Sequence, residues 1–203
     1  MTGKHFSLPA LIAMLTAGGA LLTGCGITPQ YPIEKASPAH HQPAPTPSHS
    51  SARPPLESIP GLKAKFESWS ADDVQEKSVL LDGKMAILTG YSAVAKSDPD
   101  APEIGHYYSG KAAQDARTVV RQAKERHRAP VGTIRYSDPY VESLGENSAF
   151  LSYCIGDRGL AAKDPRTGEH FDGAPAGPER MTVVMYRESG VWKTDSMTPS
   201  GEC

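Results

Sequence analysis

Pro130-Val131-Gly132-Thr133-Ile134-Arg135-Tyr136-Ser137-Asp138-Pro139-Tyr140-Val141, then Ser148-Ala149-Phe150-Leu151-Ser152-Tyr153-Cys154-Ile155, marks the point where the period of the chain changes. From Val131 onward apolar residues alternate with polar ones, the period of strands. A turn around Gly145-Glu146-Asn147 joins the two stretches. Downstream, Leu160 to Lys163 reads as a short strand, and Asp164-Pro165-Arg166-Thr167-Gly168 as a turn, with Pro and Gly where turn backbones favour them. Met181 to Glu188 and Val191 to Met197 form a hairpin across Ser189-Gly190. Upstream of Pro130 the spacing is helical. Lys111 to Arg128 is a helix that Pro130 stops, and Glu103 to Tyr108 is a short helical turn. Val74 to Lys96 carries Leu81, Met85, Leu88 and Ala95 at helical intervals, with Leu80, Ile87, Tyr91 and Val94 widening the stripe. Ser70 with Asp73 three residues later resembles a capping box, and Pro99 and Pro102 close the segment. Gly83 and Gly90, seven apart, either weaken this helix or permit close packing on one side. Helices first and an antiparallel meander afterwards define an α+β domain.

The N-terminus is of another kind. Lys4 and His5 precede an uncharged run from Phe6 to Leu22, which ends in Leu22-Thr23-Gly24-Cys25. A basic start, an apolar core and small residues at the cut describe a secretory signal peptide. The cysteine directly after the small residues resembles the lipobox of bacterial lipoproteins. That resemblance implies diacylglycerol on the Cys25 sulfur and cleavage between Gly24 and Cys25, so that residues 1–24 are a signal peptide. The alternatives are an uncleaved anchor helix and a plain secretory cleavage. The anchor would be a poor span, because the run has 17 residues, interrupted by Pro9 and Gly18-Gly19, against the roughly 20 a bilayer needs. The expected place is the outer face of a cell membrane, held by lipid, because two or three acyl chains anchor where one does not.

Residues 25–60 carry the lipidation cysteine and a proline-rich tether. Nine of the eighteen prolines lie between residues 28 and 60, among Ser, Ala, Thr and His. Such a segment buries too little apolar surface to order itself and reads as an extended spacer. His40, His41 and His49 fall in it without acidic or cysteine partners, so no metal site is expected. Residues 61–203 form the globular part. A formal net charge of −2 and no basic run exclude nucleic acid as an evident partner. With Cys25 lipidated, Cys154 and Cys203 are an even pair in an exported chain and are expected to bond, the alternative being two unrelated thiols.

Residues 74–203 resemble the nuclear-transport-factor-two-like domains of actinobacterial cell-surface lipoproteins. The resemblance rests on Tyr107-Tyr108-Ser109-Gly110-Lys111-Ala112, on Ala149 to Asp157, on Asp164 to Gly168, on Gly190-Val191-Trp192-Lys193 and on Gly201-Glu202-Cys203. It implies a cone in which N-terminal helices pack on a curved antiparallel sheet, and it pairs the strand cysteine with the terminal one. In one place the chain departs from the pattern, which commonly reads Cys, any residue, Asp. Cys154-Ile155-Gly156-Asp157 shifts the acid by one, turning Asp157 toward the opposite face.

The open end of such a cone can hold a small molecule, and some members are isomerases or dehydratases with Asp, His or Tyr in the cavity. Candidates for a cavity here are His106, Tyr107, Tyr108, Tyr153 and Asp157. Each has a plainer reading. Tyr107 and Tyr108 suit packing with solvated hydroxyls, Tyr153 alternates with Leu151 and Ala149 as core, and His106 lacks an acid to orient it. His170 falls in a turn-rich loop, and Trp192 reads as a core anchor. No nucleophile elbow, zinc helix or phosphate loop is present, and no cofactor is implied. The expectation is therefore a non-enzymatic binding or assembly module acting on a small ligand, a wall polymer or an envelope protein. A deep apolar pocket with a few inward polar groups would favour the small ligand, an exposed apolar patch a protein. Labelled palmitate should enter the full chain in its host, and Cys25→Ser should abolish the label; label that survives the substitution contradicts the lipobox.

Overall fold

The computed structural model describes residues 58–172 and 177–203. Cys25, the signal-like segment and the tether up to residue 57 lie outside them. Nine elements follow in order: β1 (Leu62–Phe66), α1 (Val74–Lys96), α2 (Pro102–Tyr107), α3 (Gly110–Glu125), β2 (Ala129–Leu144), β3 (Ser148–Lys163), β4 (His170–Asp172), β5 (Glu179–Glu188) and β6 (Val191–Glu202). The strands form one sheet in the order β1-β2-β3-β5-β6, with β4 paired to β3. Register shifts in β2–β3 and β5–β6 curl this sheet around the helices. The domain is α+β.

Three expectations change. The domain opens on a strand rather than a helix, and β1 runs parallel to β2, so the sheet is mixed at that edge. Leu62-Lys63-Ala64-Lys65-Phe66 does alternate, but over only five residues behind a proline-rich stretch. The cap of α1 is Asp73, not Ser70: its Oδ1 accepts from the Gln75 and Glu76 amides, both at 2.9 Å. The segment Leu160 to Lys163 is also not a separate strand but the far end of β3, continued from Ile155.

Helix α1 lies against the sheet at close range. A Cβ on Gly83 would stand 2.8 Å from Leu151 Cδ2, and one on Gly90 would stand 3.0 Å from the Tyr108 hydroxyl oxygen. Of the two roles open to these glycines, close packing is the one the fold uses. Between α1 and the sheet Asp82 is fully buried, and its Oδ2 accepts from the Trp192 amide at 3.1 Å. This bond pins α1 to the start of β6, whose Trp192 side chain is buried as the expected core anchor. Ala149, Leu151, Tyr153, Val183 and Met185 meet Val79, Leu80 and Ile87 in one apolar cluster. A second cluster gathers α2 and α3 around Ile104, Tyr107 and Val120.

The Tyr108-Ser109-Gly110 segment docks α3 onto β6. The Ser109 amide donates to Thr194 O at 2.9 Å, and its hydroxyl donates to Asp195 Oδ1 at 3.1 Å. Gly110 has φ +47°, and a side chain there would run into the Asp195 carboxylate. Asp195 falls at the register shift of β5–β6, which frees it from the regular ladder to reach the helix start. At the hairpin tip Ser189 and Gly190 both have positive φ (51° and 82°), as a two-residue turn between twisted strands requires.

Cys154 and Cys203 are bonded, with Cα atoms 6.0 Å apart and a sequence separation of 49. The bond ties the end of β6 to β3 across β5. Closing a loop of this length removes about 4 kcal/mol of chain entropy from the unfolded state. Cys203→Ser is expected to lower unfolding free energy in urea by about that amount, with unchanged far-ultraviolet circular dichroism.

Candidate functional site

Four tyrosines that look alike in sequence converge between the helices and the sheet. Tyr91 comes from α1, Tyr108 from the turn before α3, Tyr136 from β2 and Tyr153 from β3. They line a cavity of about 290 Å3 whose wall is otherwise Ile87, Gly90, Val94, Ala116, Val119, Ile155, Met181 and Met197, with Asp115 beside them. Val119 and Met197 are 55% and 39% exposed, so they mark where the cavity opens. Asp115 is also exposed and pairs with Lys111 one helical turn earlier, which keeps its charge at the surface.

The positions follow from local structure. Tyr153 shares the inner face of β3 with Ala149, Leu151 and Ile155, because residues two apart on a strand point the same way. Tyr136 stacks on Phe66 of β1 (ring centroids 4.9 Å apart, 14° between planes) and meets Tyr153 edge-on at 5.9 Å. Trp69 packs on Tyr153 at 5.3 Å. Ring faces are thus taken up by neighbouring rings, and the hydroxyl ends carry the polarity of the site.

Those hydroxyls differ in their partners. Tyr108 donates to the Ala86 carbonyl at 2.6 Å, and Tyr136 donates to the Tyr91 oxygen at 3.0 Å. Tyr153 lines the cavity at 3% exposure, yet its hydroxyl makes no hydrogen bond to a described residue. Burial raises the pKa of Tyr108, Tyr136 and Tyr153 above that of an ordinary phenol. Neighbouring phenols add to this, since each would oppose a second negative charge: Tyr153 and Tyr91 act on Tyr108, and Tyr91 acts on Tyr153. For Tyr136 the hydrogen bond to Tyr91 contributes as well. All three are neutral hydroxyls at physiological pH.

Of the residues singled out in the sequence, Tyr153 and Tyr108 border the cavity. Tyr153 is core, as its alternation indicates, and cavity wall at once. Tyr108 is not solvated: its hydroxyl is buried on the α1 backbone. Tyr107 is fully buried in the cluster between α2 and α3, and His106 packs on it edge-on at 4.6 Å; neither borders the cavity. The Asp157 side chain and Cys25 lie outside the described residues. His170 is exposed on β4. Sequence reasoning misses Tyr91, Tyr136, Met181 and Met197 as site residues, because a tyrosine or methionine on an apolar stripe carries no mark that separates cavity wall from core. Among the described residues no His, Cys, Asp or Glu side chains gather as a metal site, and no helix is long and apolar enough to cross a membrane.

No family model matches the chain, and no match is found among curated proteins. Several solved structures are similar at low identity. The intermembrane space region of the chloroplast protein ARC6 is 8% identical, with a TM-score of 0.47, over 65% of this chain and 99% of that one. A putative calcium/calmodulin dependent protein kinase II association domain from Xanthomonas campestris is 16% identical, with a TM-score of 0.39, over 65% and 91%. Aln2 from a Streptomyces species is 14% identical, with a TM-score of 0.37, over 59% and 90%. These likenesses are too distant to bear on function.

The raised phenol pKa values set a pH dependence. Below about pH 10 the phenols are protonated in folded and unfolded chains alike, and stability does not depend on them. Above it the unfolded chain loses these protons first. Stability should then fall by about 1.4 kcal/mol per pH unit for each buried phenol. Urea unfolding between about pH 9 and pH 11.5 should show this decline, and Tyr153→Phe should make it shallower by one phenol's share.

Proposed function

We infer that this chain is a lipid-anchored protein of the cell envelope whose domain binds a small apolar ligand in the tyrosine-lined cavity. The observation that carries the reading is the cavity itself: an apolar wall with a few inward hydroxyls, the composition of a small-molecule site. The lipobox-like Leu22 to Cys25 and the proline-rich stretch behind it support an anchor and a spacer. The bonded cysteines suit an oxidising compartment outside the cytosol. The helices on a curled sheet, together with the short motifs around Tyr108, Tyr153 and Trp192, support the nuclear-transport-factor-two-like cone.

Binding is favoured over catalysis by the chemistry of the wall. Neutral phenols of raised pKa are poor bases, and the carboxylate that lines the cavity among the described residues, Asp115, is exposed and paired with Lys111. An isomerase or dehydratase would need a proton-transfer group set against the ligand. A role in assembly has its own support on the outer face of the sheet. Tyr186 opposite Ser148, Phe150 opposite Val184, and Tyr140 opposite Ser152 share the face turned away from Leu151, and all three rings are exposed. Such a row suits a protein partner.

The cavity reading is tested with the neutral fluorophore N-phenyl-1-naphthylamine and residues 25–203 carrying Cys25→Ser, which lack both the apolar run and the lipid and so avoid detergent. Saturable binding at one site is expected. Ala116→Phe, which fills the cavity from α3, should weaken it at least tenfold while the unfolding midpoint holds. Binding that Ala116→Phe leaves unchanged, or that Phe150→Ser removes instead, would place the probe on the outer face and end the cavity reading.

A further inference from the structure

The cavity wall also constrains the chemistry of its occupant. A buried hydroxyl without a partner is costly, because the donor has left water and gained nothing in return. Tyr153 escapes that cost only through the cavity: the residue is 3% exposed and borders it, no described residue accepts its hydrogen, and its hydroxyl oxygen is not sealed off but open to the cavity space. Two other hydroxyls of the wall spend their hydrogens within it, Tyr108 on the Ala86 carbonyl and Tyr136 on the Tyr91 oxygen. A phenol is a good donor and a weak acceptor, since its lone pairs are drawn into the ring. What Tyr153 lacks is therefore an acceptor.

Charge narrows the occupant further. Among the described residues no cationic side chain lines the cavity, so an anionic group would lose its hydration without compensation. Asp115 at the opening would repel an anion. It offers little to a cation, because Lys111 holds it at the exposed surface. The remaining wall is aliphatic, aromatic and thioether, the last being adaptable in shape.

Resting on the cavity reading above, we propose that the site selects uncharged, largely apolar ligands bearing one acceptor oxygen of the carbonyl type, and that Tyr153 is the donor that meets it. Tyr153 is then the specificity determinant of the cavity. The apolar wall holds the body of the ligand, and the Tyr153 hydroxyl sets where its oxygen must lie.

Two naphthalenes of matched shape test this on residues 25–203 carrying Cys25→Ser: 2-acetylnaphthalene, which has the carbonyl, and 2-isopropylnaphthalene, which does not. In Tyr153→Phe the ratio of ketone to hydrocarbon affinity should fall about tenfold, while affinity for the hydrocarbon holds or rises. The carbonyl stretch of carbonyl-13C-labelled 2-acetylnaphthalene should move to lower wavenumber on binding the parent protein, and not on binding Tyr153→Phe. The parent protein's shift is informative even if the variant folds poorly. 2-Naphthoate should bind more weakly than the ketone. An unchanged ratio, an unshifted carbonyl stretch, or tighter binding of the carboxylate overturns the proposal while leaving the cavity as a binding site. Failure of both neutral naphthalenes to bind overturns the proposal and the cavity reading together.

Discussion

The buried bond from the Trp192 amide to Asp82 is the contact around which the domain is organised. It joins the middle of α1 to the start of β6, 110 residues away. A fully buried carboxylate is tolerable only with hydrogen-bond partners, so this contact specifies one depth and one rotation of the helix. Gly83 lets α1 approach Leu151 at that depth, and Gly90 makes room for Tyr108 one heptad later. Once α1 is placed, Ile87, Gly90, Tyr91 and Val94 become one wall of the cavity. The opposite wall, on α3, is placed by the Ser109-Gly110 dock onto Thr194 and Asp195 of β6. Both helices are thus registered against the same strand, and the space between them is defined rather than left to chance.

That space is bounded by apolar surface and a small number of hydroxyls. Aromatic packing from Phe66 through Tyr136 to Tyr153, backed by Trp69, holds the rings in fixed orientations. Held rings mean held hydroxyls, and a site whose polar group is already oriented loses little entropy on binding. The disulfide acts at the far end of the same sheet. By tying the last residue to the strand that carries Tyr153, it restrains the β5–β6 end from which Met181 and Met197 reach the cavity.

Much of the fold is legible from residue order. The helix from Val74 to Lys96 has the boundaries its periodicity indicates, and the short helix near Glu103 and the one stopped before Pro130 are where the prolines suggest. The hairpin across Ser189-Gly190 and the Cys154–Cys203 pair are legible for the same reason: turn residues and cysteine parity are local or countable signals. The first strand escapes notice because five alternating residues are too few to stand out, and its parallel pairing depends on a partner strand that follows all three helices. At the site, Tyr108 and Tyr153 are legible as candidates, but Tyr107 beside them faces a different cluster. Adjacent residues at the end of a short helix diverge in direction, and composition cannot say which one meets the cavity. The signals for Tyr91 and Tyr136 are those of ordinary core positions.

The sequence by itself determined the kinds and limits of the elements, because caps, periods, prolines and turn residues act over a few bonds. It also determined that two cysteines were left to pair once Cys25 is set aside. The tertiary structure alone decided that the packed apolar faces leave a cavity, that four tyrosines from four separate segments border it, and that the Tyr153 hydroxyl has no acceptor there among the described residues. These properties arise from the depth and angle at which α1 and α3 meet the sheet. They are set by contacts between residues far apart in the chain, of which Asp82 with Trp192 is the first.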